Sequence, residues 1–266
     1  MTHRERTSCY LCGVALDDCN TTRDHVPPKG LFPRPFLDEP IIVPCCSSCS
    51  GGKSRDEEFF RLVSTLGIHA TPEKETLYEQ RTLPRTIKRG RLKAEVSAMM
   101  ASMKQEWIEV NGVTVLAGIV PVPKKKLKKV AEQIARGLLA HFHPTLEVHT
   151  LDCKAFIPTQ DKLLEVFAFI GEDLQELRLG GRVFHAYHGT LPDNPAVGLW
   201  LMTFHETIAV AVFHFDESLG KHEAEHGEGG KASPATSWTF GLGNGNEFDP
   251  IHPTLLLLLE TNFQPS

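Results

Sequence analysis

No apolar run in this 266-residue chain approaches the roughly 20 residues that a bilayer-spanning helix needs; the longest leucine block is Leu255 to Leu259. No apolar stretch precedes Cys9, so a secretory signal is not expected, and the cytoplasm is the expected compartment. Cysteine is scarce after the start of the chain: six of the seven fall within the first 49 residues. Without export, that clustering favours metal binding over disulfides. No repeat period is visible. With 41% hydrophobic and 23% charged residues, the composition is that of a globular chain of one large or two ordinary domains.

What is present is concentrated early. Cys9-x-x-Cys12 and Cys46-x-x-Cys49 bracket the run Arg23-Asp24-His25-Val26-Pro27-Pro28. Two such pairs supply the four thiolates of a closed tetrahedral zinc site, because each two-residue gap lets one tight turn present both sulfurs to one ion. Cys45 stands beside Cys46, so spacing alone leaves open which of the two is the ligand. Cys19 and Cys153 read as free thiols.

The net charge of −5 is unevenly distributed. Residues 1–70 carry 8 Lys+Arg against 9 Asp+Glu, residues 71–140 carry 14 against 7, and residues 141–266 carry 6 against 17. A basic middle joined to an acidic C-terminal half permits one positive surface along a phosphate backbone.

Residues 7–52 are irregular and rich in Cys, Gly and Pro, which suits a small metal-stabilised unit. From Ser54 the pattern turns helical, with Ser54 as expected N-cap, Glu57 completing a capping box, and Phe59, Phe60, Leu62, Val63 and Leu66 as an apolar stripe. Helices are expected at 73–82 and 91–104, separated by Pro84 and Gly90. A hairpin is expected from Trp107 to Leu116 around Asn111-Gly112, the preferred two-residue turn. Lys124 to His141 reads as an amphipathic helix. Beyond it the expectations are a helix from Thr159 to about Phe167, strands near 182–188, 197–204 and 207–215, and a mobile Gly-rich loop from Ser218 to Asn246. The expected architecture is α+β: a small zinc-stapled unit at 1–70, then a mixed α+β domain with antiparallel strands at 71–266.

The segment Cys9-x-x-Cys12, Asp24-His25-Val26-Pro27, Cys46-x-x-Cys49 and Lys53-Ser54 resembles the HNH endonucleases of the ββα-metal (His-Me finger) type. His25-Val-Pro-Pro-Lys-Gly-Leu-Phe-Pro, Val43-Pro-Cys and Asp56-Glu-Glu-Phe-Phe are similar to a bacterial subgroup with an uncharacterised C-terminal region. The likeness covers about residues 9–61. It implies a phosphodiester hydrolase acting on nucleic acid, with DNA favoured over RNA and the choice left open by the sequence. His25 would be the general base, since imidazole titrates near neutral pH. Asp24 would hold a catalytic Mg²⁺ or Mn²⁺ together with Ser50, which stands where the family usually has Asn or His. No Asn occupies the stretch Asp38-Glu39-Pro40-Ile41, where the family commonly places the residue that orients the base. Lys53 would bind a phosphate, and the zinc held by Cys9, Cys12, Cys46 and Cys49 would be purely structural.

The contrasting expectation is the same zinc fold without turnover, a module that binds nucleic acid or a partner protein. Lys124, Lys125, Lys126, Lys128 and Lys129 would line a nucleic-acid groove or form a solvated helix face; no aromatics interleave them for base stacking. His141-x-His143 and His185-x-x-His188 lack an accompanying Cys or acid at ligand spacing, so surface or packing roles are expected.

Overall fold

The computed structural model describes residues 7–66, 71–88, 92–110, 113–158, 175–191, 193–216 and 256–258. Strands β1 (Thr21–His25) and β2 (Ile42–Cys46) form an antiparallel pair that sets Asp24 opposite Val43 and His25 opposite Ile42. The short helix α1 (Ser47–Gly52) runs almost directly into α2 (Ser54–Thr65). This is the two-strand-plus-helix unit expected from the sequence, with α2 burying Phe59, Phe60, Leu62 and Val63.

One local expectation fails. Ser54 is the first helical residue and Lys53 the N-cap, with no side-chain capping bond. Lys53 already has helical φ and ψ as it leaves α1. The Glu57 carboxylate turns instead to the Lys53 ammonium, 3.2 Å away. A buried charge pair has displaced a capping box.

Then follow α3 (Pro72–Leu77), a wide-turned π-helical segment (Tyr78–Lys88) and α4 (Lys93–Ala101). Thr71 caps α3, its hydroxyl accepting from the Lys74 N–H at 3.3 Å. Pro84 was expected to separate two helices, yet the helical path passes through it. Wider winding accommodates a nitrogen that has no hydrogen to donate. The hairpin forms as β3 (Lys104–Val110) and β4 (Val113–Ile119), with Val110 opposite Val113; its Asn111-Gly112 turn lies outside the described residues. A short strand, Leu256–Leu258, lies along the other edge of β4.

Helix α5 (Lys124–Phe142) is the centre of the molecule. Its apolar stripe, including Leu127, Val130, Ile134 and Leu138, is fully buried. It meets α2 and β2 on one side and a five-stranded antiparallel sheet on the other. That sheet holds β5 (Leu151–Phe156), β6 (Gln175–Leu179), β7 (Phe184–Leu191), β8 (Asn194–Phe204) and β9 (Ile208–Asp216), in the order β5-β9-β8-β7-β6. The strands expected near 182–188, 197–204 and 207–215 correspond to β7, β8 and β9. His205 and Glu206, expected to join the last two, both take positive φ, the left-handed geometry of a tight hairpin turn. The helix expected from Thr159 and the loop expected from Ser218 lie outside the described residues.

The main apolar core runs through both expected domains: Phe59 and Phe60 share it with Leu127, Trp200 and Phe204. Phe60 packs edge-on against Phe204, ring centroids 4.8 Å apart. Full burial of each such side chain contributes about 1.5–3 kcal/mol. Gly137 lets α5 approach the end of β1, because a Cβ there would lie 2.5 Å from Val26 Cγ2. Val26 follows His25, so this contact sets the position of the imidazole's own strand.

Candidate metal centre and adjoining cleft

The N-terminal knuckle is a small hairpin, bridged between Ser8 and Ala15. Cys9 N–H donates to Val14 O and Gly13 N–H to Cys9 O, each at 2.8 Å, and Gly13 takes φ +73° to close the turn. The second knuckle lies where β2 passes into α1. There the Cys46 sulfur accepts from the Cys49 N–H at 3.5 Å and caps the helix. The β1–β2 pairing brings the two knuckles together.

The sulfurs of Cys9, Cys12, Cys46 and Cys49 all lie within 4.8 Å of one another, Cys12 and Cys46 at 3.8 Å. A tetrahedral ion with sulfurs at about 2.3 Å requires edges of about 3.8 Å. The donor set therefore fits zinc. Burial raises the Cys9 thiol, but N–H groups of Cys46, Leu11 and Cys12 outweigh it and bring the pKa down to about 7. Those donors favour the thiolate that a metal takes. The choice left open by the sequence falls on Cys46. Cys45 lies 3.7 Å from Cys9 yet outside the mutually close four, and burial followed by the Cys9 charge pushes its thiol well up.

Behind the sulfurs lies a buried polar knot. Asp24, 6% exposed, accepts from the Tyr10 hydroxyl at 2.5 Å and from the Lys53 ammonium, through the same Oδ2. Lys53 is itself only 4% exposed and also pairs with Glu57. Burial alone would lower the Lys53 pKa, but the Glu57 and Asp24 carboxylates raise it above the ordinary lysine value. Burial raises Glu57, and it raises Tyr10 together with the Asp24 charge.

His25 is half-buried and lines a tight crevice with Tyr10, Lys53 and Glu57, walled also by Val130 and Ile134 of α5. Burial and then Lys29 lower its pKa below 6.5, partly opposed by Asp24. The ring is therefore neutral at pH 7, with a lone pair to accept a proton.

Of the residues singled out in sequence, Asp24, His25 and Lys53 come together around the cleft, whereas Ser50 sits partly exposed on α1. Ser50 makes no side-chain hydrogen bond to a described residue. The divalent ion implied by the family resemblance does not fit this arrangement. Asp24 Oδ2 is occupied by Tyr10 and already has a cation, Lys53, as its partner. Among the described residues, the four cysteines are the one cluster of three or more metal-ligating side chains. Sequence reasoning missed Tyr10 and Glu57. Glu57 had a local signal, its i,i+4 spacing from Lys53; Tyr10 had only its place beside Cys9.

The histidines of the C-terminal half also gather. The rings of His143 and His214 lie 6.0 and 6.1 Å from His188, which stacks on Trp200 at 3.9 Å. Burial, then the neighbouring histidines, lowers His188 to about 3; burial is also the main cause that lowers His214 to about 4. These are neutral packing groups, as expected for His143 and His188. His185 binds the Glu176 carboxylate at 2.6 Å on the exposed side of the sheet.

With the fold and the thiol site in view, the class defined is an α+β protein with an N-terminal cluster of four cysteines that could bind a metal ion. No family model, no curated protein and no solved structure matches the chain.

Proposed function

We propose that this protein is an HNH-type endonuclease that hydrolyses phosphodiester bonds in nucleic acid, its N-terminal unit held by structural zinc. The observation that carries the reading is the placement of His25: a neutral imidazole lining a cleft with Lys53 and Glu57, on a β-hairpin pinned by four thiols. In this reading His25 accepts the proton of the attacking water. Lys53 supplies positive charge behind the phosphate, and Tyr10 and Asp24 hold that ammonium in place.

A second reading, a zinc module that binds nucleic acid or a partner without turnover, is favoured by one specific observation: Asp24 Oδ2 is taken by Lys53 and Tyr10. Plasmid DNA and RNA incubated with the zinc-loaded protein, with Mg²⁺, Mn²⁺ or neither, separate the two. The nuclease reading expects cleavage that falls at least about 100-fold in His25→Ala at unchanged zinc content. Equal cleavage by both proteins removes His25 from the chemistry. Binding with no cleavage under any condition leaves the module.

A further inference from the structure

Four arginines crowd together where α2 meets the π-helical segment. Arg81 and Arg85 lie four residues apart on that segment. Arg61 reaches it from α2, its Nη2 donating to Thr86 Oγ1 at 3.0 Å. Arg34 is clamped to it through its backbone, which accepts from Gln80 Nε2 at 2.8 Å and donates to Gln80 Oε1 at 2.9 Å. The Arg34 guanidinium stands 5.8 Å over the Phe36 ring. Glu58 lies 3.6 Å from Arg61 and accepts from Thr86.

Arg81 is the anomaly. It is 7% exposed, and its side chain has no hydrogen bond or ion pair to any described residue. Burial, and then the charges of Arg34, Arg61 and Arg85, push its pKa down to about 10. A guanidinium largely withdrawn from water without a counter-charge is costly. Three like charges around it compound the cost. Folding nonetheless collects them, with Arg34 and Arg85 exposed at the surface and Arg81 beneath. Such an arrangement is complete once an oxyanion sits among the guanidinium forks.

We propose that Arg34, Arg61, Arg81 and Arg85 form a binding site for a phosphate group, supplied by the backbone of the nucleic-acid substrate. The source of the phosphate rests on the proposed function; the anion site itself does not. Arg61 lies eight residues beyond Lys53 on α2, roughly 12 Å along the helix. That separation spans about two internucleotide steps. The arginines therefore hold the strand beside the cleft, outside the chemistry.

The test uses the full-length, zinc-loaded His25→Ala protein so that binding is read without turnover, with Arg81→Met and Arg85→Ala added singly. Two ligands are titrated, inorganic phosphate and a fluorescent 12-nucleotide DNA. Phosphate is expected to raise the melting temperature of the Arg81 protein saturably, and this response is lost in Arg81→Met. Without anions, Arg81→Met should melt at or above its parent, because an uncompensated charge has been removed. Both substitutions should weaken DNA binding at least about 10-fold and reduce its salt dependence by about one ion. A phosphate response lost in the variants with DNA binding unchanged retains the anion site but assigns it to free phosphate, overturning the strand-holding role. Identical phosphate responses in all three proteins, or a folded Arg81→Met protein that melts below its parent in anion-free buffer, overturns the site. If Arg81→Met does not fold, the exposed Arg85→Ala decides the outcome by the same DNA measurement. Neither result depends on cleavage, so a failed nuclease assay leaves this test intact.

Discussion

Lys53→Met puts the polar knot under direct test. The substitution keeps the aliphatic stem and removes one charge from a group whose side chain is 5% exposed. Asp24, with 8% of its side chain exposed, and Glu57, with 23%, then lose their shared cation. Removing one partner of a buried pair costs about 3–5 kcal/mol, a large share of the 5–15 kcal/mol that holds an ordinary domain folded. Asp24→Asn in the Lys53→Met background should recover at least about 2 kcal/mol of that loss, since the stranded carboxylate disappears. The assay is urea unfolding of the zinc-loaded protein, followed by circular dichroism, for both singles and the double. Additivity within about 0.5 kcal/mol would refute the coupling and with it the geometry of the knot. A pH series adds a second check. Because the folded Lys53 pKa lies above its unfolded value of 10.5, its stabilisation is complete below 10.5 and disappears as pH rises through the folded value. Tyr10, raised above 10, acts in the same alkaline direction. The parent should therefore lose stability above about pH 10.5 more steeply than Lys53→Met.

Cys46→Ala should abolish stoichiometric zinc binding and unfold at least the N-terminal unit, because structural zinc is worth about 10 kcal/mol or more; a variant that keeps one zinc per chain would exclude Cys46 as a ligand. Gly137→Ala gains about 1 kcal/mol of helix propensity but drives a Cβ to within 2.5 Å of Val26, so a net loss of about 1–2 kcal/mol is expected. Adding Val26→Ala should relieve that conflict, and thermal melts that show no relief would argue against the close approach of α5 to β1.

The thiol site was legible because its information is local. Each pair sits on one turn, and ligand chemistry dictates both residue type and spacing. The hairpin around Asn111-Gly112 and helix α5 were legible for the same reason: turn chemistry and a 3.6-residue period are written in contiguous residues. The polar knot was not. Lys53 and Asp24 are 29 residues apart, and Tyr10 meets them only because the thiol site folds its knuckle over β1. Nothing near Ser54 disclosed that Lys53 would already be helical, so a good capping sequence went unused. His214 likewise carries no motif; Gly198 on the neighbouring strand opens its space, since a Cβ there would approach His214 Cε1 to 2.7 Å.

The charge pattern shows how far a segment's net charge can depart from that of the surface it builds. Residues 71–140 hold twice as many basic as acidic residues, 14 against 7, and the lysines at the head of α5 were the obvious candidates for a nucleic-acid groove. Yet Lys129 lies 2.7 Å from Asp56, while Lys126 reaches Glu95 at 3.4 Å and stands over Phe59. Those two charges are paired with carboxylates of α2 and α4. The cationic face arises elsewhere, where Arg34 and Arg61, from a segment with slightly more acids than bases, meet Arg81 and Arg85 across a helix junction. Lysine stems are flexible and their ammonium groups find exposed carboxylates easily. Guanidinium groups present planar donor forks, so arginines gathered at one helix junction suit an oxyanion better than lysines tied to carboxylates do.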